Sequence, residues 1–197
     1  MSDQTPIALS VTELRDLITT TKAHDERCYV MFLLMVFHGL RVSEAIDLRR
    51  KNFTKAGEQV FLTVQRLKGS KKTTQKLLAS SDPVFDEQTV VTEWLAKLEG
   101  DLLFTNDSGK KFWRTHINKL FARYAEWAGI PAHKQHPHVL KHTLGVLMRK
   151  NGTELEKIQV SLGHRNLNST AQYLRVSNDE ADDARAQAFA AAAGGGD

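Results

Sequence analysis

Residues 28–37, CYVMFLLMVF, form an unbroken run of ten apolar side chains. A helix that is apolar on every side offers no face to water and belongs at the centre of a fold. The run is too short to cross a bilayer, which needs about 20 residues. The spacing predicts a helix over roughly residues 25–38, ended by Gly39, which takes positive φ without strain.

The other elements follow from periodicity. Ser10 or Thr12 caps a first helix through about Thr20, with Val11, Leu14, Leu17 and Ile18 as its apolar stripe. Ser43 can cap a short helix carrying Glu44, Ala45 and Leu48. Residues 59–67 alternate and are rich in Val, Phe and Thr, which reads as a strand. Residues 68–71 turn the chain, and 73–78 return. Asp86 begins a helix with Val90, Val91, Trp94, Leu95 and Leu98 on its buried side. Residues 111–127 form another, with Phe112, Ile117, Leu120, Phe121 and Tyr124 at helical spacing. Residues 154–162 make a short helix closed by Gly163, and Asn168 or Ser169 caps the last one, which presents Tyr173. The fold class is therefore mainly α with a small antiparallel β-hairpin, an α+β domain over residues 1–177. The tail, 178–197, is acidic and then alanine-rich. It can form one further helix, and the closing Gly-Gly-Gly-Asp reads as disordered.

Charge divides the chain at the same place. The net charge is +4 and the isoelectric point about 9.2. Residues 1–177 carry 26 basic against 18 acidic side chains, a net +8, while the tail holds five acids and one base. A basic body suits a polyanionic partner. The lone Cys28 excludes an internal disulfide and fits a reducing compartment. MSDQTPIALS lacks the pattern of a signal peptide, so a cytoplasmic protein with no membrane contact is expected.

Residues 136–142, HPHVLKH, carry the most suggestive chemistry. Proline fits the first turn of a helix, where its missing N–H costs nothing. Such a helix puts His138, Lys141, His142 and Gly145 on one face and Leu140, Leu144 and Leu147 on the other. The polar face is arranged to hold an anion, or is an ordinary solvated face. Arg41, just after Gly39, calls for a carboxylate or a phosphate, and Glu44 three residues on can orient it or simply pair with it. Lys68, Lys71, Lys72 and Lys76 crowd the hairpin. Lys110, Lys111, Arg114, His116, Lys119 and Arg123 line one side of the 111–127 helix, fit for DNA phosphates or for water. His133, His136 and His138 share a loop, but without Cys or a clear fourth ligand they do not make a zinc site.

In order along the chain stand His-Gly-Leu-Arg-Val-Ser-Glu (38–44), a lysine hairpin, His-Val-Leu-Lys-His (138–142), Leu-Gly-His (162–164) and Tyr173. This ordered set resembles the catalytic domain of the tyrosine recombinases, the phage integrase family, from about Ser10 to Val176. The resemblance implies a site-specific recombinase that cleaves and rejoins DNA through a 3′-phosphotyrosine. Arg41, Lys141 and one or both of His138 and His164 would surround the phosphate, with Glu44 and His142 supporting them. Tyr173 would attack, Lys68 would protonate the leaving oxygen, and His138 would take the tyrosine proton. Lys68 fits the family's Lys-Gly-x-x-Lys pattern best, with a shift of register onto Lys71, Lys72 or Lys76 as the open alternative.

The family resemblance also implies no metal or nucleotide, double-stranded DNA with specific sites as partner, and a tetramer on that DNA. Lys71, Lys72, Lys110, Lys111, Arg114, Lys119 and Arg123 would hold the backbone, and the tail would pack on a neighbouring subunit. No N-terminal clamp domain is expected, as in the short members that invert fimbrial promoter segments. Lys141 departs from the family's usual arginine: it keeps the charge and loses the bidentate fork. Two rival readings remain, a type IB topoisomerase-like relaxer with the same chemistry and a non-catalytic DNA-binding regulator, which Lys141 favours.

Overall fold

The computed structural model describes residues 7–67, 72–165 and 169–173. Lys68, Lys71, Asn168 and the tail 178–197, on which several expectations rest, lie outside the described residues.

The described chain is helical with one small antiparallel sheet, the expected class. Helix α1 (Val11–His24) is one turn longer than its apolar stripe suggested. Ser10 caps it, accepting from Glu13 N–H while the Glu13 carboxylate accepts from Ser10 N–H. Asp25 then caps α2 (Glu26–His38) by accepting from Cys28 N–H at 3.0 Å. Every residue of α2 from Cys28 to His38 except Phe37 is buried, so the all-round apolar run is the centre of the core. Truncating Phe32 or Leu33 there to Ala should cost about 3–5 kcal/mol in transfer and cavity terms.

Helix α3 (Val42–Ala45) follows the left-handed Gly39, and α4 (Glu87–Lys97), α5 (Arg114–Trp127) and α6 (His138–Lys150) surround α2. Helix α7 (Leu155–Leu162) and a 3-10 turn (Ala171–Tyr173) close on α6. Ile158, Leu162 and Tyr173 form a second small cluster, with Leu144 packed against it.

Other elements differ from the sequence reading, and the two expected strands stop short, at Val64 and Lys76 rather than at 67 and 78. Ser43 is not the cap of α3: Arg41 occupies that position, and the Glu44 carboxylate accepts its N–H at 2.8 Å. Helix α5 starts at Arg114 rather than Lys111, because Lys111 bridges to Thr105 in extended form. The hairpin is a three-stranded sheet, β1 (Phe53–Ala56), β2 (Gln59–Val64) and β3 (Thr73–Lys76), in that order, with Phe53 opposite Leu62 and Val64 opposite Thr73. Strand β1 escaped notice because three of its four residues are exposed, which leaves no two-residue period to read.

Candidate active site

The site grows from two helix ends. Gly39 ends α2 and Leu162 ends α7, and carbonyls in the last turn of a helix have no partner within it. Lys141, on the inner side of α6, donates to both: 2.8 Å to Gly39 O and 2.5 Å to Leu162 O. Its side chain is 2% exposed. The open polar face expected around Lys141 is therefore not how this residue sits. Its ammonium is drawn inward by two orphan carbonyls.

Beside it lies a carboxylate with three claimants. Glu44 Oε1 accepts from Arg41 Nη1 at 2.9 Å and from Leu67 N–H at 3.1 Å. Glu44 Oε2 accepts from Arg41 N–H and from Arg66 Nη1, the latter at 3.2 Å. Glu44 is buried, while Arg41 keeps 27% of its side chain exposed and can still reach a ligand. Arg66 was missed from sequence. Its guanidinium is wholly buried and also donates to Thr73 Oγ1 (3.0 Å), Gly39 O (3.3 Å) and His38 O (2.6 Å). The signal was present: Val60, Leu62 and Val64 are the inward phase of β2, and two residues further the same phase reaches an arginine. His38 and Glu87 form a second buried pair that sequence reasoning missed, at 2.6 Å.

The other wall is the tyrosine side. Tyr173 is 5% exposed, and its ring lies across Gly145 of α6. A Cβ at Gly145 would stand 2.6 Å from the ring carbon Cζ, so only glycine lets the ring this close. The Tyr173 hydroxyl lies 3.0 Å from His142 Nδ1. Sequence reasoning gave the tyrosine proton to His138 and a supporting role to His142. Here His142 holds the hydroxyl, and His138 meets the His142 ring edge-on with centroids 4.5 Å apart. One helical turn separates the two histidines, which is why both face the same way. His164 follows Gly163, which has φ 63°, and its Nδ1 is held by the buried Thr170 hydroxyl at 2.9 Å.

Electrostatics set the resting state. Burial first, then the charges of Arg66 and Arg41, bring Lys141 down to about 7. Burial holds His142 at about 4, and burial with Lys141 and Arg41 holds His164 at about 4. His138 is lowered by the same causes. Burial pushes the Tyr173 hydroxyl up to about 12. Burial alone would raise the Glu44 carboxyl, but the N–H groups of Arg41 and Leu67 and the charges of Arg66 and Lys141 outweigh it and hold it below its usual range. The histidines are thus neutral and the phenol protonated at neutral pH. An anion entering between Arg41 and the histidines would favour the charged forms of the histidines and of Lys141 and oppose their lowering.

The structure brings Arg41, Glu44, Lys141, His142, His164 and Tyr173 into one cluster, and the charges of Lys141 and Arg41 reach His138 as well. The candidate backbone contacts are scattered. Lys72, Lys110, Arg114, Lys119 and Arg123 are exposed, with Lys119 and Arg123 one turn apart on α5. Lys111 is not on α5 and pairs with Asp47. Among the described residues, no group of three or more His, Cys, Asp or Glu side chains is placed to hold a metal. No helix among them is long and apolar enough to cross a membrane.

Comparison with known proteins identifies the family and the fold. Residues 8–180 match the phage integrase family. The tyrosine recombinase XerH of Campylobacter jejuni is 27% identical over 148 residues, covering 75% of this chain and 40% of the relative. The type 1 fimbriae regulatory protein FimE of Escherichia coli is 29% identical over 154 residues, covering 75% of this chain and 73% of FimE. The chain thus spans about two fifths of the length of XerH. The crystal structure of XerH bound to difH substrate in a pre-cleavage complex superposes with a TM-score of 0.77 at 24% identity, over 93% of this chain and 55% of that one. The fold is shared, the family match runs through both halves of the site, and the chain belongs to the phage integrase family.

Proposed function

We propose that this chain cleaves and rejoins double-stranded DNA at specific sites through a covalent bond to Tyr173. The observation that carries the reading is the Tyr173 hydroxyl held at 3.0 Å by His142, in the cluster that also contains Arg41, Lys141 and His164. A core tyrosine needs no imidazole at its hydroxyl; a phenol that must lose its proton on attacking a phosphodiester does.

The phosphate enters beside the half-exposed Arg41, whose planar fork takes two of its oxygens. Its charge stabilises protonated His164 and Lys141. Tyr173 Oη attacks phosphorus while its proton passes to His142 Nδ1. The bond to the 5′-oxygen breaks, and Lys68 gives that oxygen its proton. A 3′-phosphotyrosine and a free 5′-hydroxyl result. Attack by another 5′-hydroxyl reverses the steps and joins new partners. The linkage conserves the bond energy, so neither metal nor nucleotide is consumed. His138, edge-on to His142, orients it.

Four copies assembling on the DNA, with the segment 178–197 packing between subunits, belong to the same proposal. A second reading, a DNA-binding member with weakened cleavage, draws on the Lys141 ammonium being engaged by two carbonyls.

Nicked suicide substrates carrying candidate sites decide between them. The wild-type chain should form a denaturation-resistant adduct that maps to Tyr173, and Tyr173→Phe should bind DNA and form none. Binding without any adduct from wild type would leave the regulator reading. Relaxation of supercoils without exchange between partners would leave the topoisomerase-like one.

A further inference from the structure

We infer that Arg66 is a positioning residue for strand cleavage, holding Arg41 and the Leu67 main chain in register through Glu44 without itself touching DNA. The inference rests on the proposal that Tyr173 cleaves DNA.

The argument is geometric. Arg66 is wholly buried, so no phosphate can reach it. All three of its guanidinium nitrogens are already engaged, and they engage four different pieces of the site. Through Glu44 it reaches Arg41: the carboxylate that accepts from Arg66 at 3.2 Å also accepts from the Arg41 side chain and main chain. The same carboxylate accepts from Leu67 N–H at 3.1 Å, and Leu67 is bonded directly to Lys68. At the helix ends, Arg66 shares Gly39 O with Lys141. It also lies against Gly163, where an added Cβ would stand 2.8 Å from Nε, one residue before His164.

A planar fork with five donors can span these acceptors, and a lysine ammonium cannot. An unpaired arginine so deeply buried would be costly, so the Glu44 carboxylate and Arg66 are each held in place by the other. Removing the fork should leave the domain able to bind DNA, because the exposed lysines and arginines are elsewhere. It should disturb the relative placement of Arg41 and the Leu67 main chain. A displacement of about 1 Å in a catalytic constellation can cost on the order of a hundredfold in rate.

The test is single-turnover cleavage of a suicide substrate across a range of DNA concentrations. Arg66→Lys keeps the charge beside Glu44. Its saturating rate should fall about a hundredfold while the half-saturating DNA concentration stays unchanged. Glu44→Gln should give a loss of the same kind, and the double variant should lose little more than either single one, because both act through one contact. A normal rate in Arg66→Lys, or losses that multiply in the double variant, overturns the inference. So does a rise in half-saturating DNA concentration at an unchanged saturating rate, which would mean Arg66 serves binding. Circular dichroism and thermal unfolding accompany each variant. If Arg66→Lys does not fold, Thr73→Val removes only the hydroxyl that accepts from Nε and should slow cleavage about fivefold; an unchanged rate there overturns it equally. Wild type without any adduct ends the Tyr173 reading and this inference with it, whereas a wild-type adduct beside a normal Arg66→Lys ends this inference alone.

Discussion

The two walls of the site are built on opposite principles. The wall formed by the ends of α2 and α7, α3 and the end of β2 is dry and ionic. Glu44, Arg66 and Lys141 are buried there with every charge held by a partner. The wall formed by α6 and the 170–173 turn is half-buried and neutral, with its histidines discharged and its tyrosine protonated. An ion network in low dielectric is stiff, because losing any contact leaves a costly orphan. A set of neutral histidines is responsive, because one incoming anion favours the charged form of each. The first wall holds geometry and the second waits for the substrate.

Breaking the ionic wall should produce the largest change. Glu44→Ala leaves Arg66 buried without its counter-ion, and truncating one partner of such a pair costs about 3–5 kcal/mol. Denaturant unfolding should show a midpoint lowered accordingly. A small shift would mean that water enters the junction, and the contrast between the walls would weaken.

Next in size is Lys141, which is carried on α6 but turns its ammonium into the ionic wall. Lys141→Ala should slow cleavage on the order of a hundredfold, like the loss of one oxyanion donor, with DNA affinity changed far less. Lys141→Arg should keep substantial activity. If Lys141→Ala cleaves normally and only loses stability, the lysine serves the helix ends and not the phosphate, which sharpens the division. Gly145→Ala attacks the neutral wall alone. The added methyl stands 2.6 Å from the Tyr173 ring, while alanine favours the helix by about 1 kcal/mol. Thermal stability should hold within a few degrees while adduct formation drops. Normal adduct formation would mean that the tyrosine does not attack from this docked position.

These contrasts bear on how far the sequence could be read. The buried α2 was legible because ten apolar residues admit no other placement. Tyr173, His164 and Arg41 were legible only as an ordered set of motifs. What stayed hidden depended on long-range pairing: Arg66 with Glu44 across twenty-two residues, and Lys141 with carbonyls at the ends of two distant helices. Periodicity marks which side of an element is buried, but not which orphan carbonyl an ammonium on that side will find. The exchange of His138 for His142 at the tyrosine hydroxyl has a similar cause. Both lie on one helix face, and only the position of Tyr173 along α6 separates them.

The last contrast separates the walls by pH. His142 and His164 lie at about 4 in the folded chain against an ordinary 6.5, and His138 is lowered too. Between those values the unfolded chain binds more protons than the folded one, so stability falls as pH falls from 6.5 towards 4. Lys141 lies at about 7 when folded against 10.5 in the open chain. By the same sign, its contribution is complete above 10.5 and declines as pH falls towards 7; below 7 both states are protonated and it adds no slope. The neutral wall therefore titrates on the acid side and Lys141 on the alkaline side. Urea midpoints across pH 4–10 should show both limbs. His142→Asn should make the acid limb shallower, with His164 and His138 still contributing, and leave the alkaline one, while Lys141→Arg should remove the alkaline limb and leave the acid one, since arginine stays charged throughout. A single substitution that flattens both limbs would mean that the two walls titrate as one unit, and the division between a fixed half and a responsive half would fail.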